Sequence, residues 1–443
     1  MPKSDKNNPT ALEIWLNQTR VGTLTNLPYD QNLFVFDDDY IQASDRPVLS
    51  LSFFDENRNL IVEPEQVQTK IPPFFSNLLP EGRLREYLAG AAGIKQVREF
   101  FLLWLLGTDL PGAVLAQDAE GAPLPPEDSG TGDTIRRRQE RILRFSLAGV
   151  QLKFSAIGSP GKQLTIPAEG RGGTWIIKLP SSRFPLVPEN EYSMMKLAAA
   201  VGIDVAEAGL ISTNQIEGLP EEFAEEKANS LYVRRFDRTP EGGKIHIEDF
   251  NQIYRQFPHD KYKHYSYTNM ARDISTFLGT DAVLEFVRRL VFNAAIGNAD
   301  MHLKNWSVTY PDTRTPHLAP GYDFVSTIAY SKDREMGLSI AKEKDTRKLD
   351  QTLLERFAVK AGLPKHMVVE TASEAAEKTV RLWTEMARDL PLDDHAREQI
   401  DEQMNQVPLI RQFQRAASAR SPETPAPQTE KNIIRRRDRK TRG

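Results

Sequence analysis

The chain has 443 residues, an apolar fraction of 40% and a formal charge of −4, which fits a globular protein of two or three lobes and excludes a uniformly basic nucleic-acid coat. It contains no cysteine, which excludes a disulfide scaffold, a zinc–thiolate site, an iron–sulfur cluster and thiol catalysis, and suits a reducing cytoplasm. The longest apolar run, FFLLWLLG at 100–107, is far below the ~20 residues that cross a bilayer; no signal peptide is visible in the first twenty residues, so a cytoplasmic protein without a membrane role is expected.

Residues 11–62 read as β-rich. LEIWLNQTRVGTLT alternates around a polar turn at Asn17–Thr19, and FVFDDDY and VLSLSFF are further strand candidates. From Pro80 to Leu106 the pattern turns helical, with Leu84, Leu88, Ile94, Phe100, Phe101 and Leu105 as the buried stripe. DAEGAPLPPEDSGTGD, 118–133, has almost nothing to bury and reads as a linker. After the basic cluster Arg136–Arg138 come the strand candidates ILRFSL, QLKFSAI and TWIIKLP, the first two joined by a tight loop at Ala148–Gly149. A helix over PENEYSMMKLAAAVGI opens at Pro188 and closes at Gly202, and the strands AGLISTN and NSLYVRRFDR follow.

From about residue 268 the pattern is mostly helical. Val283, Leu284, Val287, Leu290, Val291 and Ala294 recur at helical spacing up to a stop at Gly297, and further helices are expected over 350–362, 367–389 and 392–418. Between them, 297–340 carries the short strand candidates NWSVTY and PHLAP. The last thirteen residues, Lys431–Gly443, have a net charge of +6 against −10 for the rest of the chain, and follow a Pro-rich stretch; this tail is expected to be disordered, either a solubilising end or a contact for nucleic-acid phosphates. The division that results is a β-rich subdomain over 1–117, a linker over 118–140, a nucleotide-binding part over 141–250, a helical lobe over 251–418 and a tail over 419–443.

Several chemistries are absent. There is no GxxxxGK[ST], GxGxxG or GxSxG string, and the seven histidines show no HxxxH or HExxH spacing. The positive signal is GNADMHLKNWSV at 297–308. Phosphoryl transfer needs a carboxylate to orient the acceptor hydroxyl and a nearby oxygen ligand for Mg²⁺, and Asp300 and Asn305, five apart on a loop after a helix, supply both. Lys304 between them could neutralise charge on the transferring group. Asp323 in PGYDFVST is placed for a second metal ligand. Upstream, Lys178 in the apolar strand WIIKLP could enter a nucleotide cleft, held by Glu189 or Glu191 of the next helix. The order of these parts carries the argument: glycine turn, strand lysine, helix glutamate, D-x-x-x-x-N, metal aspartate. It implies an α+β, two-lobed, protein-kinase-like fold.

SLAGVQLKFS, IIKLP, NEYSMMKLA, VRRFDR, ADMHLKN and GYDFVS together resemble the HipA family, from about residue 11 to 415. The resemblance implies a bacterial serine/threonine kinase that uses ATP and Mg²⁺, acts as a growth-arrest toxin on an aminoacyl-tRNA synthetase of the glutamyl type, and is neutralised by a HipB-like antitoxin dimer with which it holds operator DNA. It implies Asp300 as the catalytic aspartate, Asn305 and Asp323 as Mg²⁺ ligands, and Lys178 on the ATP phosphates. The backbone of Arg234, Arg235 and Phe236 would meet the adenine. Ala148, Gly149, Val150, Gln151, Leu152 and Lys153 would form the phosphate loop, and His302, Leu303, Lys304, Asn305, Tyr322 and Asp323 would line the nucleotide site. Ser146 matches the loop serine that the family autophosphorylates. Arg234 departs from an acid found before RFDR in related proteins. Two other readings remain: a catalytically idle co-repressor partner of the antitoxin, and a small-molecule or lipid kinase on the same scaffold.

Overall fold

A computed structural model describes residues 10–92, 95, 98–119, 153–159, 163–167, 172–181, 183–219 and 228–418. In β1 (Ala11–Leu16), alternate side chains Leu12, Ile14 and Leu16 are buried, as the period of two requires. Asn17, at φ 53, turns the chain into β2 (Thr19–Leu27); asparagine tolerates this left-handed geometry better than most residues. β3 (Gln31–Phe36), β4 (Glu65–Gln68) and β5 (Val114–Asp118) complete an antiparallel sheet of order β4-β3-β2-β1-β5. In the helices Gly82–Ala92 and Glu99–Leu106 the expected stripe residues Leu84, Leu88, Phe100, Phe101 and Leu105 are buried, Ile94 lies outside the described residues, and every residue of the second helix is buried.

The expected strand VLSLSFF is not one. Ser50 caps a short 3-10 turn, Leu51–Phe53, by accepting from the Ser52 amide, and Leu49, Ser50, Ser52 and Phe53 are all buried. The alternation in the sequence has a different cause: Ser50 bonds the buried Glu248 and Ser52 bonds Ser50, so neither serine marks a wet face.

The second sheet has the order β10-β7-β6-β8-β11-β9. Its strands are β6 (Lys153–Ser159), β7 (Gln163–Thr165), β8 (Trp175–Lys178), β9 (Ala208–Ser212), β10 (Ile216–Glu217) and β11 (Asn229–Arg234). The helix Val187–Val201 has Pro at its first turn and ends at Gly202, at φ 93, a left-handed cap that glycine adopts without strain. The large lobe holds the helices Tyr267–Phe277, Thr280–Ile296, Gln351–Ala361, Lys365–Met386, Asp394–Gln406 and Pro408–Ser418. It also holds a small sheet, β12 (His246–Asp249), β13 (Ser307–Tyr310) and β14 (His317–Leu318). The single helix expected over 392–418 is two, because Val407 is extended and Pro408, without an amide hydrogen, restarts the chain as a new first turn.

Packing does not follow the chain order. Phe154, Ala156, Trp175 and Ile177 of β6 and β8 share one core with Leu12, Phe74 and Leu103 of the N-terminal domain. Met194, Met195 and Leu197 of the helix Val187–Val201 belong instead to the core of the large lobe, with Phe286, Leu290, Trp306 and Phe357. The N-terminal domain also docks on the large lobe through buried polar groups. The His246 ring bonds the Leu49 carbonyl at 2.8 Å, and Gln252 Nε2 donates to the Phe74 carbonyl at 3.0 Å. The Glu248 carboxylate accepts from the Ser50 and Tyr310 hydroxyls and from the Leu51 amide.

Burial raises the Glu248 carboxyl to about 7, against the three donors that lower it. A folded pKa above the unfolded one means stability fully present below the unfolded value and lost as pH rises through the folded one. Glu248→Gln removes the titration and keeps the shape. Urea melts at pH 5 and pH 8 are expected to show the variant losing less stability across this interval than the wild type, by at most ~3 kcal/mol. Identical losses in the two proteins would show that Glu248 does not titrate there.

Candidate active site

The helix Thr280–Ile296 ends at Gly297, at φ 67, where an added Cβ would lie 2.8 Å from the Ile328 Cβ. The chain leaves into a loop tied by its own groups. The Asp300 amide donates to Asn298 Oδ1 at 3.0 Å and the Asn305 amide to the His302 carbonyl at 3.0 Å. The Asn305 side-chain amide donates to the Asp300 carbonyl at 2.9 Å. The five-residue spacing therefore closes the loop on itself, and among the described residues no hydrogen bond uses Asn305 Oδ1, which is left as an acceptor. The Asp300 carboxylate is open to solvent on one side and accepts from the Tyr262 hydroxyl. The cavity wall on its other side strips water from it and raises its pKa above the ordinary carboxylate value, more than the tyrosine lowers it.

Lys178 ends β8 with its side chain inward, only 8% exposed. Its ammonium pairs with Glu191 at 2.6 Å and with Asp323. Glu189 and Glu191 lie two residues apart, about 200° around a helix, so they face opposite ways. Glu191 meets Lys178, and Glu189 accepts from the Asn229 side chain at 2.9 Å. Two carboxylates on one ammonium are unequally compensated. Burial would raise Asp323, but Lys178 and Lys153 draw it well below the carboxylate range. Glu191, fully desolvated, is pushed up to about 7 despite Lys178. Asp323 sits at φ 57, a left-handed conformation in which aspartate is enriched. Lys153 stands opposite Lys178 in the β6–β8 register, and desolvation lowers its ammonium to about 8.

These groups line one cavity of about 1210 Å³ between the sheets and the large lobe, together with Arg234, Arg235, Phe236, His302, Lys304, Asn305 and Tyr322. The amides of Arg234 and Arg235 are committed to the carbonyls of Glu207 and Thr174 at 2.7 and 2.9 Å; among the described residues the Phe236 amide carries no such bond. The Phe236 and Tyr322 rings lie 5.5 Å apart at 37°, an apolar wall beside that amide. Arg234, the departure noted in the sequence, stacks its guanidinium 5.2 Å from the Trp175 ring. The Arg235 side chain turns away into a buried network. Arg235 and Arg238 both bond Asp237, Arg238 also reaches Asp109 at 2.9 Å, and the Gly112 amide donates to Asp237 at 2.8 Å.

Leu303 does not line the cavity: it is fully buried in the large-lobe core. His302 does, with its ring 4.9 Å from that of Tyr262 and burial lowering its pKa to about 3, so it is neutral. Its Nδ1 has no hydrogen-bond partner among the described residues. Lys304 is not a free cation, since it pairs with Glu81 at 2.9 Å and donates to the Asn77 carbonyl at 3.1 Å. Ser146, Ala148, Gly149, Val150, Gln151, Leu152, the cluster Arg136–Arg138, the tail and the expected linker beyond Ala119 lie outside the described residues, while Asp118 at its start belongs to β5. Glu81, Lys261, Tyr262 and Asp249 line the cavity as well, unnoticed in the sequence. Only DKY at 260–262, acid, base and hydroxyl together after Pro258, was a local cue.

Residues 12–117 match the HipA N-terminal domain, and residues 145–383 match the HipA-like C-terminal domain. The chain belongs to the HipA family. Among relatives of this HipA-family chain, the putative kinase Y4dM of Sinorhizobium fredii is 46% identical over 407 residues, which cover 91% of this chain and 98% of that protein. The serine/threonine-protein kinase toxin HipA of Shewanella oneidensis is 26% identical over 357 residues, covering 73% and 78%. The fold resembles that of a chain in the complex of Shewanella oneidensis HipA and HipB with operator DNA. The TM-score is 0.67 at 23% identity, and the match covers 91% of this chain and 97% of that one. The two-lobed, kinase-like α+β fold is thereby shown.

The HipA-family cavity suits a hard cation held mainly by a ligand. Among the described residues no three carboxylate or imidazole groups converge on a metal position. Asp323 and Asn305 both line the cavity, and one carboxylate plus one neutral oxygen is the donor set with which proteins hold Mg²⁺ when phosphates and water complete the shell. Among the described residues no helix is long and apolar enough to cross a membrane.

Proposed function

We propose that this HipA-family chain is an ATP-dependent serine/threonine protein kinase. The observation that supports it most is the convergence of Asp300, Asn305, Asp323 and the Lys178–Glu191 pair, drawn from four separate chain segments, on one cavity. Lys178 and Lys153 would meet the phosphates, and the Phe236 amide with the Phe236–Tyr322 wall would receive the base. Asp300 would orient the acceptor hydroxyl and take up its proton. Asn305 and Asp323 would hold Mg²⁺, which neutralises phosphate charge when bound. Glu191 would hold Lys178 in place while Asp323 served the metal.

Family membership supports the rest of the proposal. The protein acts as a growth-arrest toxin, with an aminoacyl-tRNA synthetase as acceptor, a HipB-like antitoxin dimer as partner and operator DNA bound through that complex. Phosphorylation at Ser146 would put about −1.5 to −2 charges next to a pocket for like-charged phosphates and so silence it. Incubation with ATP and Mg²⁺ followed by intact-mass analysis tests the activity. A gain of one phosphoryl group that maps to Ser146 is expected, and an unchanged mass with no transfer to any acceptor protein would refute it.

The metal assignment has its own test. Asp323→Asn is expected to weaken Mg·ATP binding tenfold or more, about 1.4 kcal/mol, while ATP with EDTA loses much less by calorimetry. Equal losses would make Asp323 a support for Lys178 alone.

A further inference from the structure

Lys304 lies inside the catalytic loop, and Lys261 follows the turn Pro258–Asp260 on the far side of it. Both ammoniums reach the same carboxylate, Glu81 of the N-terminal domain, at 2.9 and 3.2 Å. The Lys304 side chain is only 8% exposed. The Lys261 carbonyl in turn accepts the Leu303 amide at 3.2 Å, and the next residue, Tyr262, donates its hydroxyl to Asp300. One carboxylate from a distant part of the sequence thus holds the loop from within and from its flank.

Without that carboxylate, two ammoniums would share a desolvated wall with no counter-charge. A partly buried cation left in this way moves to the nearest anion, and the anions at hand are the carboxylates of the site itself. Lys304 already acts on one of them, lowering the Asp249 carboxyl against the burial that raises it. Glu81 is equipped to prevent this: burial would raise it, but the two lysines hold it down to about 2, so it stays charged at neutral pH.

We propose that Glu81 is a positioning residue for the loop Asp300–Asn305, through which the N-terminal domain makes the phosphotransfer site competent. The catalytic half of this statement rests on the kinase reading above. The structural half does not.

The test uses the full-length chain and Glu81→Gln, which keeps the shape and removes the charge. Phosphotransfer kinetics are expected to show kcat reduced tenfold or more with the KM for ATP within about threefold, the pattern of an interaction lost at the transition state. Glu81→Asp, which restores the charge, is expected to recover part of the rate. Amide hydrogen exchange read by mass spectrometry is expected to speed up over 297–306 and stay unchanged over the helix 365–386. Unchanged kcat overturns the proposal, as does exchange that rises over both segments, which would make Glu81 a general stability residue. A wild-type chain that transfers no phosphate removes the kinase reading instead. The exchange experiment then decides Glu81 by itself, and an unchanged 297–306 segment overturns it.

Discussion

Asp300→Asn is expected to lower phosphotransfer by about 10³-fold or more while leaving Mg·ATP binding within a few-fold of the wild type. The reason is the division of labour in the cavity. In the function proposed above, nucleotide binding would fall to Lys178, Lys153, the Phe236 amide and the residues assigned to the metal, none of which is Asp300. In a reaction whose catalysis is mainly positioning and electrostatic stabilisation, the group that orients the acceptor hydroxyl acts on the rate. An amide at this position can still accept from Tyr262, so the loop should keep its shape. It is a far poorer acceptor for a proton. Rates by radiolabelled transfer and affinities by calorimetry check the two halves. The same variant separates the competing readings: an idle co-repressor would keep its effect on operator DNA with no activity to lose. Wild-type rates in Asp300→Asn would remove Asp300 from its role.

The largest stability effect is expected at Asp237, whose role is not catalytic. Its carboxylate accepts from Arg235 Nε and Nη2 at 2.9 and 2.8 Å, from Arg238 Nη1 at 2.8 Å and from the Gly112 amide at 2.8 Å. Both guanidiniums are buried. Asp237→Ala leaves the two guanidiniums Asp109 as their one carboxylate among the described partners, and uncompensated buried charge of this kind costs about 3–5 kcal/mol, a large share of the ~5–15 kcal/mol that separates a folded domain from its unfolded chain. Burial would raise the Asp237 carboxyl, but the two arginines draw it far below the ordinary value. The sign follows from a depressed folded pKa: its stabilisation is present above the unfolded value near 3.8 and lost as pH falls below it. Urea melts at pH 7 and pH 3 are expected to show the wild type losing stability on acidification and Asp237→Ala losing less. An unchanged urea midpoint at pH 7 would sink the assignment.

What the sequence revealed and what it hid divide by range. The helix Thr280–Ile296, its glycine stop and the Asp300–Asn305 spacing are local patterns, and all three are where periodicity and turn chemistry placed them. Helical geometry puts Glu189 and Glu191 on different faces but leaves open which one meets Lys178; the packing of the helix against β8 decides for Glu191. VLSLSFF reads as a strand candidate from its pattern, whereas its Ser50 is buried and answers a glutamate almost two hundred residues away. For the same reason nothing in the chain announced Glu81 or Asp109: an ion pair between distant segments leaves no period and no spacing. The resemblance implies the whole run His302–Asn305 for the nucleotide site, but adjacent residues on a turn need not face the same way, and Leu303 points into the core.

The shared core of the N-terminal domain and strands β6 and β8 bears on how this protein could be divided. Cutting the chain between residues 119 and 153 would remove none of the described residues of that core, yet each piece would be left with an open apolar face where the other had been. Phe154, Trp175 and Ile177 would meet water on one side, and Leu12, Phe74 and Leu103 on the other. Neither piece should be well behaved alone, and the two expressed together should find each other as an obligate heterodimer does, with the C-terminal piece insoluble unless its companion is made in the same cell.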